Sequence, residues 1–256
     1  MRLKVIACKV LFRELSLIAS ASKNFIDITY MRQGFHNEPD LLRERVQHEI
    51  DKIDSGEDWY TCKPYIDNDF DAILLGYGLC SNGIMGLSSR KYRLVVPKGH
   101  DCITLLLGSK EKYKAYFDTH KGIYWYSGGW IDNTPMPGKA RYDAVRNTYA
   151  EKYGEENADY LMEMEQNWYN EYQWCTFVDW PEFDNAEYKA YTKQSAEFLK
   201  WNYDEVIGSK SLLTDFLEGN WDESEFLIVP PGKTIEPSYD ENVIGIQEKN
   251  NVIKKD

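Results

Sequence analysis

The sequence predicts an α/β protein: an open, mainly parallel sheet with helices on both faces, in a flavodoxin- or Rossmann-like order, plus a helix-rich C-terminal lobe. Three observations carry this. Strand-type runs alternate with helical periodicity through the first half. Runs such as Ala72-Ile73-Leu74-Leu75 and Leu94-Val95-Val96 are continuously apolar, as in strands buried on both faces. Right-handed crossovers leave few arrangements, and the commonest order sets strands one, three and four side by side.

Leu3 to Ala7 is the first strand, and Val10 to Ala21 is a helix with Leu11, Leu15 and Ile18 on one face. Ile26 to Met31 is a second strand. Pro39 and Asp40 open a helix through Ile53, with Leu42, Val46, Ile50 and Ile53 at helical spacing. After a polar connection over 55–70, strands follow at Asp71 to Gly76 and Arg93 to Val96. A helix runs from Cys102 to about Phe117, and Ile123 to Tyr126 is the fifth strand. Gly128-Gly129, Pro135 and Pro137-Gly138 break the pattern. A soft boundary there separates a parallel lobe, 1–135, from a helix-rich aromatic lobe, 136–256, that completes the fold. The second lobe reads as helix over 140–172, strand at Thr176 to Asp179, helix over 186–203 and helix from Leu212 to Leu217. Strands at Phe226 to Val229 and Val243 to Ile246 close it.

At 256 residues the chain can bury a substantial core. A net charge of −12 opposes binding to nucleic-acid backbones. No apolar run approaches the ~20 residues that span a bilayer, and the opening segment is too short and too charged for a secretory leader. The expectation is a cytoplasmic protein. Five cysteines in a reducing compartment argue against disulfides. The 19 tyrosines and 8 tryptophans, mostly in the second half, offer material for a pocket or a homo-oligomer interface as well as for ordinary packing.

The chemistry gathers at strand ends. Cys8, Cys80 and Cys102 lie just past the first, third and fourth strands, and ligands of open parallel sheets collect outside the carboxyl ends of strands. His100 precedes Cys102 by two residues, and His36 follows the second strand. Soft sulfur selects zinc, copper(I) or iron–sulfur clusters. The lack of a C-x-x-C pair among these cysteines removes a local zinc knuckle, so only the folded sheet would assemble such a site. Three thiolates plus an imidazole would close a tetrahedral zinc site. Three thiolates alone would leave a position for substrate, water or the fourth iron of a [4Fe-4S] cluster. Cys62 and Cys175 lack this placement and read as non-ligands.

Gly76-Tyr77-Gly78-Leu79-Cys80-Ser81-Asn82-Gly83 also follows a strand directly. Gly76, Gly78, Asn82 and Gly83 are candidates for holding a cofactor or an anion on backbone N–H groups. The spacing is not a dinucleotide fingerprint. A plain turn, or glycines that let backbone approach a bulky group, are the competing readings. Asp101 would cap the helix that Cys102 opens, and a Cys–His nucleophile ranks behind the metal reading. Trp125 and Trp130, in Tyr124-Trp125-Tyr126-Ser127-Gly128-Gly129-Trp130, would wall or cover a pocket, or simply pack the second lobe.

The segments Ala7-Cys8, Leu75 through Gly83, and His100-Asp101-Cys102-Ile103-Thr104-Leu105-Leu106-Leu107-Gly108-Ser109 resemble the bacterial and archaeal domain-of-unknown-function family numbered 1638. Gln33 through Pro39 and Tyr124 through Trp130 are similar to it as well, so the likeness runs over roughly 3–230. The resemblance implies a small cytoplasmic protein of anaerobes, often encoded near corrinoid-dependent methyltransferases. It implies no activity. The expectation is a metal-binding protein, zinc or iron–sulfur, of one-carbon metabolism, acting on a small-molecule substrate or with a corrinoid or methyltransferase protein; any corrinoid would come through that partner. The alternative is a non-catalytic binding module or chaperone for such a protein.

Overall fold

The computed structural model describes residues 1–57, 69–238 and 243–246. In chain order the first elements are β1 (Arg2–Cys8), α1 (Phe12–Ala21), β2 (Phe25–Met31), α2 (Pro39–Ser55), β3 (Ala72–Gly76) and β4 (Leu94–Pro97). They are followed by α3 (Cys102–Leu107), α4 (Lys110–Thr119), β5 (Ile123–Tyr126), α5 (Gly128–Asn133), α6 (Lys139–Tyr153) and α7 (Glu155–Glu165). The remainder comprises β6 (Trp174–Asp179), α8 (Ala186–Leu199), β7 (Asn202–Ile207), α9 (Ser211–Glu218), β8 (Phe226–Val229), β9 (Ile235–Pro237) and β10 (Ile244–Ile246).

The chain forms two compact units, Met1–Leu105 with Ser211–Asp256, and Leu106–Lys210. The Pro/Gly-rich break near residue 136 falls inside the second.

The first unit holds a five-stranded sheet in the order β2-β1-β3-β4-β8. Strands β1 to β4 are parallel, as the alternating sequence pattern predicts. The fifth place belongs to β8, which runs antiparallel to β4 with Leu94 opposite Val229. Alternation along the strands sends Ile6, Ile73, Leu75, Leu94 and Val96 into one core with Leu42, Val46, Ile50 and Ile53 of α2. Each of those helix side chains contributes about 1.5–3 kcal/mol by leaving water. Helices α1 and α9 pack on each other, with Leu11, Leu15, Leu213, Phe216 and Leu217 buried. β10 pairs antiparallel with β9 in a small separate ribbon.

The second unit has its own parallel sheet, β5-β6-β7. Strand β5 therefore does not extend the first sheet. Its partners lie in 174–207, a region the sequence reads as mainly helical. Strand β7 was missed because no Gly or Pro separates it from α8. Lys200 supplies the left-handed stop instead, at φ 59°. Tyr126, Met136, Cys175, Phe177 and Ala196 form this unit's core. The long helix expected over 140–172 is broken at Gly154, whose φ of 84° a helix cannot contain. Among the described residues no helix is long and apolar enough to cross a membrane.

Candidate functional site

The site grows from the carboxyl ends of β1, β3 and β4. Strand β1 stops at Cys8, where the chain turns into the short 3₁₀ segment Lys9–Leu11 that leads to α1. Strand β3 stops at Gly76, and the next four residues carry the chain to Cys80. The stretch after β4 meets that loop backbone to backbone: the Leu79 N–H donates to the Gly99 carbonyl at 2.8 Å and the Cys80 N–H to the His100 carbonyl at 3.2 Å. Gly78 is required at this seam. A Cβ there would stand 2.6 Å from the Asp101 nitrogen and 2.7 Å from its Cα, both immovable backbone. Gly76 lies as tightly on Ala7, and Gly83 on Leu42. All three glycines thus serve close packing.

Left-handed backbone falls on three residues that are not glycine. Cys80, Ser81 and Asn82 have φ of 48°, 56° and 67°, and the Gly83 N–H closes the turn on the Cys80 carbonyl at 3.0 Å. Each non-glycine residue in this region costs about 1–2 kcal/mol, and such backbone clusters at functional sites. The Asn82 carbonyl is held by Arg43 at 3.2 Å and by the Met85 N–H at 3.1 Å.

Cys8, at the end of β1, and Cys80, in the loop after β3, pack against the same core. They are close enough for charge on one to disfavour charge on the other. Burial, and after it Cys8 and Asp101, together push the Cys80 thiol up to about 12, against the Gly78 N–H. Burial also raises Cys8, opposed by the Val10 and Lys9 N–H groups. Both are neutral thiols at neutral pH.

Between the two glycines sits Tyr77, only 3% exposed. Its hydroxyl has no hydrogen-bond partner among the described residues. Burial holds its ionisation well above the usual phenol value, and Cys8 and Cys80 both add to that shift. The sequence reading passed over Tyr77. An aromatic residue with a polar tip, set between glycines at a strand's carboxyl end, was the available signal.

The other expected site residues fall as follows. Cys102 is buried at the start of α3. His100 is exposed and joins the seam through its carbonyl. Asp101 caps α3, accepting from the Ile103 and Thr104 N–H groups at 3.0 and 3.2 Å. Among the described residues no three His, Cys, Asp or Glu side chains are arranged to hold a metal ion, so the three cysteines are not drawn together as a ligand set. Cys62 and the side chain of His36 lie outside the described residues. Cys175 is fully buried in the second core, 3.7 Å from the Tyr126 hydroxyl.

Trp125 and Trp130 belong to the second unit. Trp125 packs against Tyr113 and Tyr116, with ring centroids 5.9 and 5.1 Å apart. Trp130 lies in α5, whose start is capped by the Ser127 hydroxyl, and packs on the core around Tyr126 and Phe177.

No curated protein and no solved structure matches the chain. A family match covers residues 30–217, a span that includes Tyr77, Cys80, His100 and Cys102 but not Cys8. With that match over most of its length, the chain belongs to the family described as Protein of unknown function (DUF1638).

Proposed function

We propose that the carboxyl edge of the five-stranded sheet binds a soft metal centre, zinc or an iron–sulfur cluster, through Cys8 and Cys80. The observation that carries this reading is that two desolvated thiols, Cys8 at the end of β1 and Cys80 in the loop after β3, pack against one core. The donor chemistry fits such a metal: two buried sulfurs that stay neutral alone become thiolates when a cation offsets their charge. The sequence reading adds Cys102, His100 and His36 as further donors; among the described residues no third ligand stands with the two sulfurs. The metal would supply Lewis acidity or, as a cluster, an electron. This chain's own residues would exclude water and fix the sulfurs. The family resemblance adds the context of anaerobic one-carbon metabolism beside corrinoid-dependent methyl transfer, in the cytoplasm.

Protein purified without air should carry about one zinc or one iron–sulfur centre per chain. Cys80→Ser and Cys8→Ser should each lower metal content about tenfold or more, while Cys62→Ser should retain it. Well-folded wild-type protein free of both metals would exclude the reading.

A second reading, a docking module for a methyltransferase or corrinoid protein, is favoured by the helical hairpin of α6 and α7. Tyr153, Tyr160 and Met164 are exposed there. Tyr149, Tyr153, Asn157, Tyr160 and Leu161 line an open pocket of about 530 Å³. A Tyr153→Ser/Tyr160→Ser variant that keeps its metal but loses such a partner would support it.

A further inference from the structure

We propose that the open pocket of the α6–α7 hairpin binds a small organic cation, an alkylated ammonium ion, on the rings of Tyr149, Tyr153 and Tyr160. The pocket is built wholly from the second unit, so its occupant is independent of any metal at Cys8 and Cys80. A small molecule there is also a different occupant from the protein partner of the docking reading.

Single apolar side chains scattered on a surface need no explanation, but rings gathered around one hollow do. Tyr153 and Tyr160 leave 47% and 64% of their surface in water. With Tyr149, Asn157 and Leu161 they line a pocket of about 530 Å³, a volume typical of small-molecule sites. Tyr149 and Tyr153 lie one helical turn apart on α6, with ring centroids 6.4 Å apart and planes inclined by 44°. Tyr160 adds a third ring from α7. The walls are tied in place: the Tyr149 hydroxyl donates to Glu165 Oε2 at 2.7 Å, and the Asn157 amide donates to the Tyr153 carbonyl at 2.8 Å.

Charge selects the occupant. Helix α7 carries Glu155, Glu156, Asp159, Glu163 and Glu165 and no lysine or arginine. Arg146 pairs with Glu155 and Asp159 at 2.8 Å, and Arg141 with Glu165 at 3.3 Å. The carboxylates of Glu156 and Glu163 enter no ion pair among the described residues. They stand four residues before and three after Tyr160, on its side of the helix. An anion would meet these two charges, whereas a cation is drawn to them. The face of an aromatic ring attracts cations as well, quaternary ammonium ions in particular. Lys152 shows that attraction locally, its ammonium 5.1 Å from the Tyr153 ring centroid. Hard metal cations need several oxygen ligands, and no carboxylate is among the lining residues. A weakly hydrated organic cation satisfies both the rings and the charge.

The test titrates choline into the full chain, followed by saturation-transfer-difference NMR, beside its uncharged carbon isostere 3,3-dimethyl-1-butanol. Choline should bind with a Kd of about 1 mM, and the isostere about fivefold or more weakly. Tyr160→Phe keeps the ring and should keep the affinity. Tyr160→Leu should weaken choline about fivefold, with an unfolding midpoint within about 2 °C of wild type because the side chain is exposed. Glu156→Gln with Glu163→Gln should weaken choline about threefold and remove most of its dependence on salt. Equal affinity of wild type for choline and the isostere would overturn the proposal without recourse to any variant. So would an absence of saturation below about 20 mM choline, or a Tyr160→Leu protein that binds choline as tightly as Tyr160→Phe. A lysine-rich peptide that binds where choline does not would overturn it too, and would turn the pocket over to the docking reading.

Discussion

Cys80 and its two successors hold a conformation that side chains resist, and the resistance is measurable. Replacing Ser81 with Gly removes about 1–2 kcal/mol of left-handed strain and adds about 0.5–1 kcal/mol of chain entropy cost. Ser81→Gly should therefore raise stability by about 0.5–1 kcal/mol in a denaturant titration, while weakening metal binding, because the turn that presents the Cys80 sulfur is loosened. Higher stability together with unchanged metal affinity would show that the strain has no role in the site. Cys80 also predicts a pH dependence. Its folded value, about 12, lies above the ordinary thiol value of 9.0, so folding favours the neutral thiol. That contribution is fully present below about pH 9 and is lost as pH rises through about 12, since the unfolded chain ionises first. In metal-free, reduced protein the denaturation midpoint should fall over this window, and Cys80→Ser should flatten the fall relative to wild type.

At the scale of elements, α3 and the seam to the glycine loop share Asp101, which caps the helix and adds to the raised value of Cys80 after burial and Cys8. Asn caps as well as Asp does. Asp101→Asn should keep the helix and ease Cys80 ionisation. Asp101→Ala should cost about 0.5–2 kcal/mol of stability through the lost cap; equal stability of the two variants would show that the cap contributes nothing. The elements around this seam were legible in the sequence because each has a local cause: continuous apolar runs for β3 and β4, Pro39 for α2, and Asp101 for α3. The placement of Cys8 and Cys80 at one edge followed from strand order alone. Strand β7 was not legible, since Asn202, Tyr203, Asp204 and Glu205 make a half-exposed edge without an apolar run. Neither were the left-handed Cys80–Asn82 turn, which violates residue preference and is imposed by the seam, nor Tyr77, whose unpartnered hydroxyl exists only after the loop closes.

At the scale of the whole molecule, the second unit is an insertion between α3 and α9, and its two ends meet. The Ser209 N–H donates to the Leu106 carbonyl at 3.0 Å, and Gly108 lies against Ser209. Chains accept domain insertions where entry and exit lie close together, and the same geometry permits removal. Cys8, Tyr77, Cys80 and Cys102 all lie in the first unit, as does the α2-side core that holds three of them. The second unit has its own sheet, its own core and an internal polar tie from the Tyr116 hydroxyl to Asp204 at 2.7 Å. Replacing residues 109–207 with a short Gly-Ser linker should therefore leave a folded protein that retains cysteine-dependent metal binding. The excised segment 106–210 should show cooperative thermal unfolding of its own and bind none. Metal analysis and circular dichroism on the two pieces decide the matter. A shortened protein that folds but no longer holds the metal would overturn the assignment of the site to the first unit. Retention would place the metal chemistry within the first unit alone.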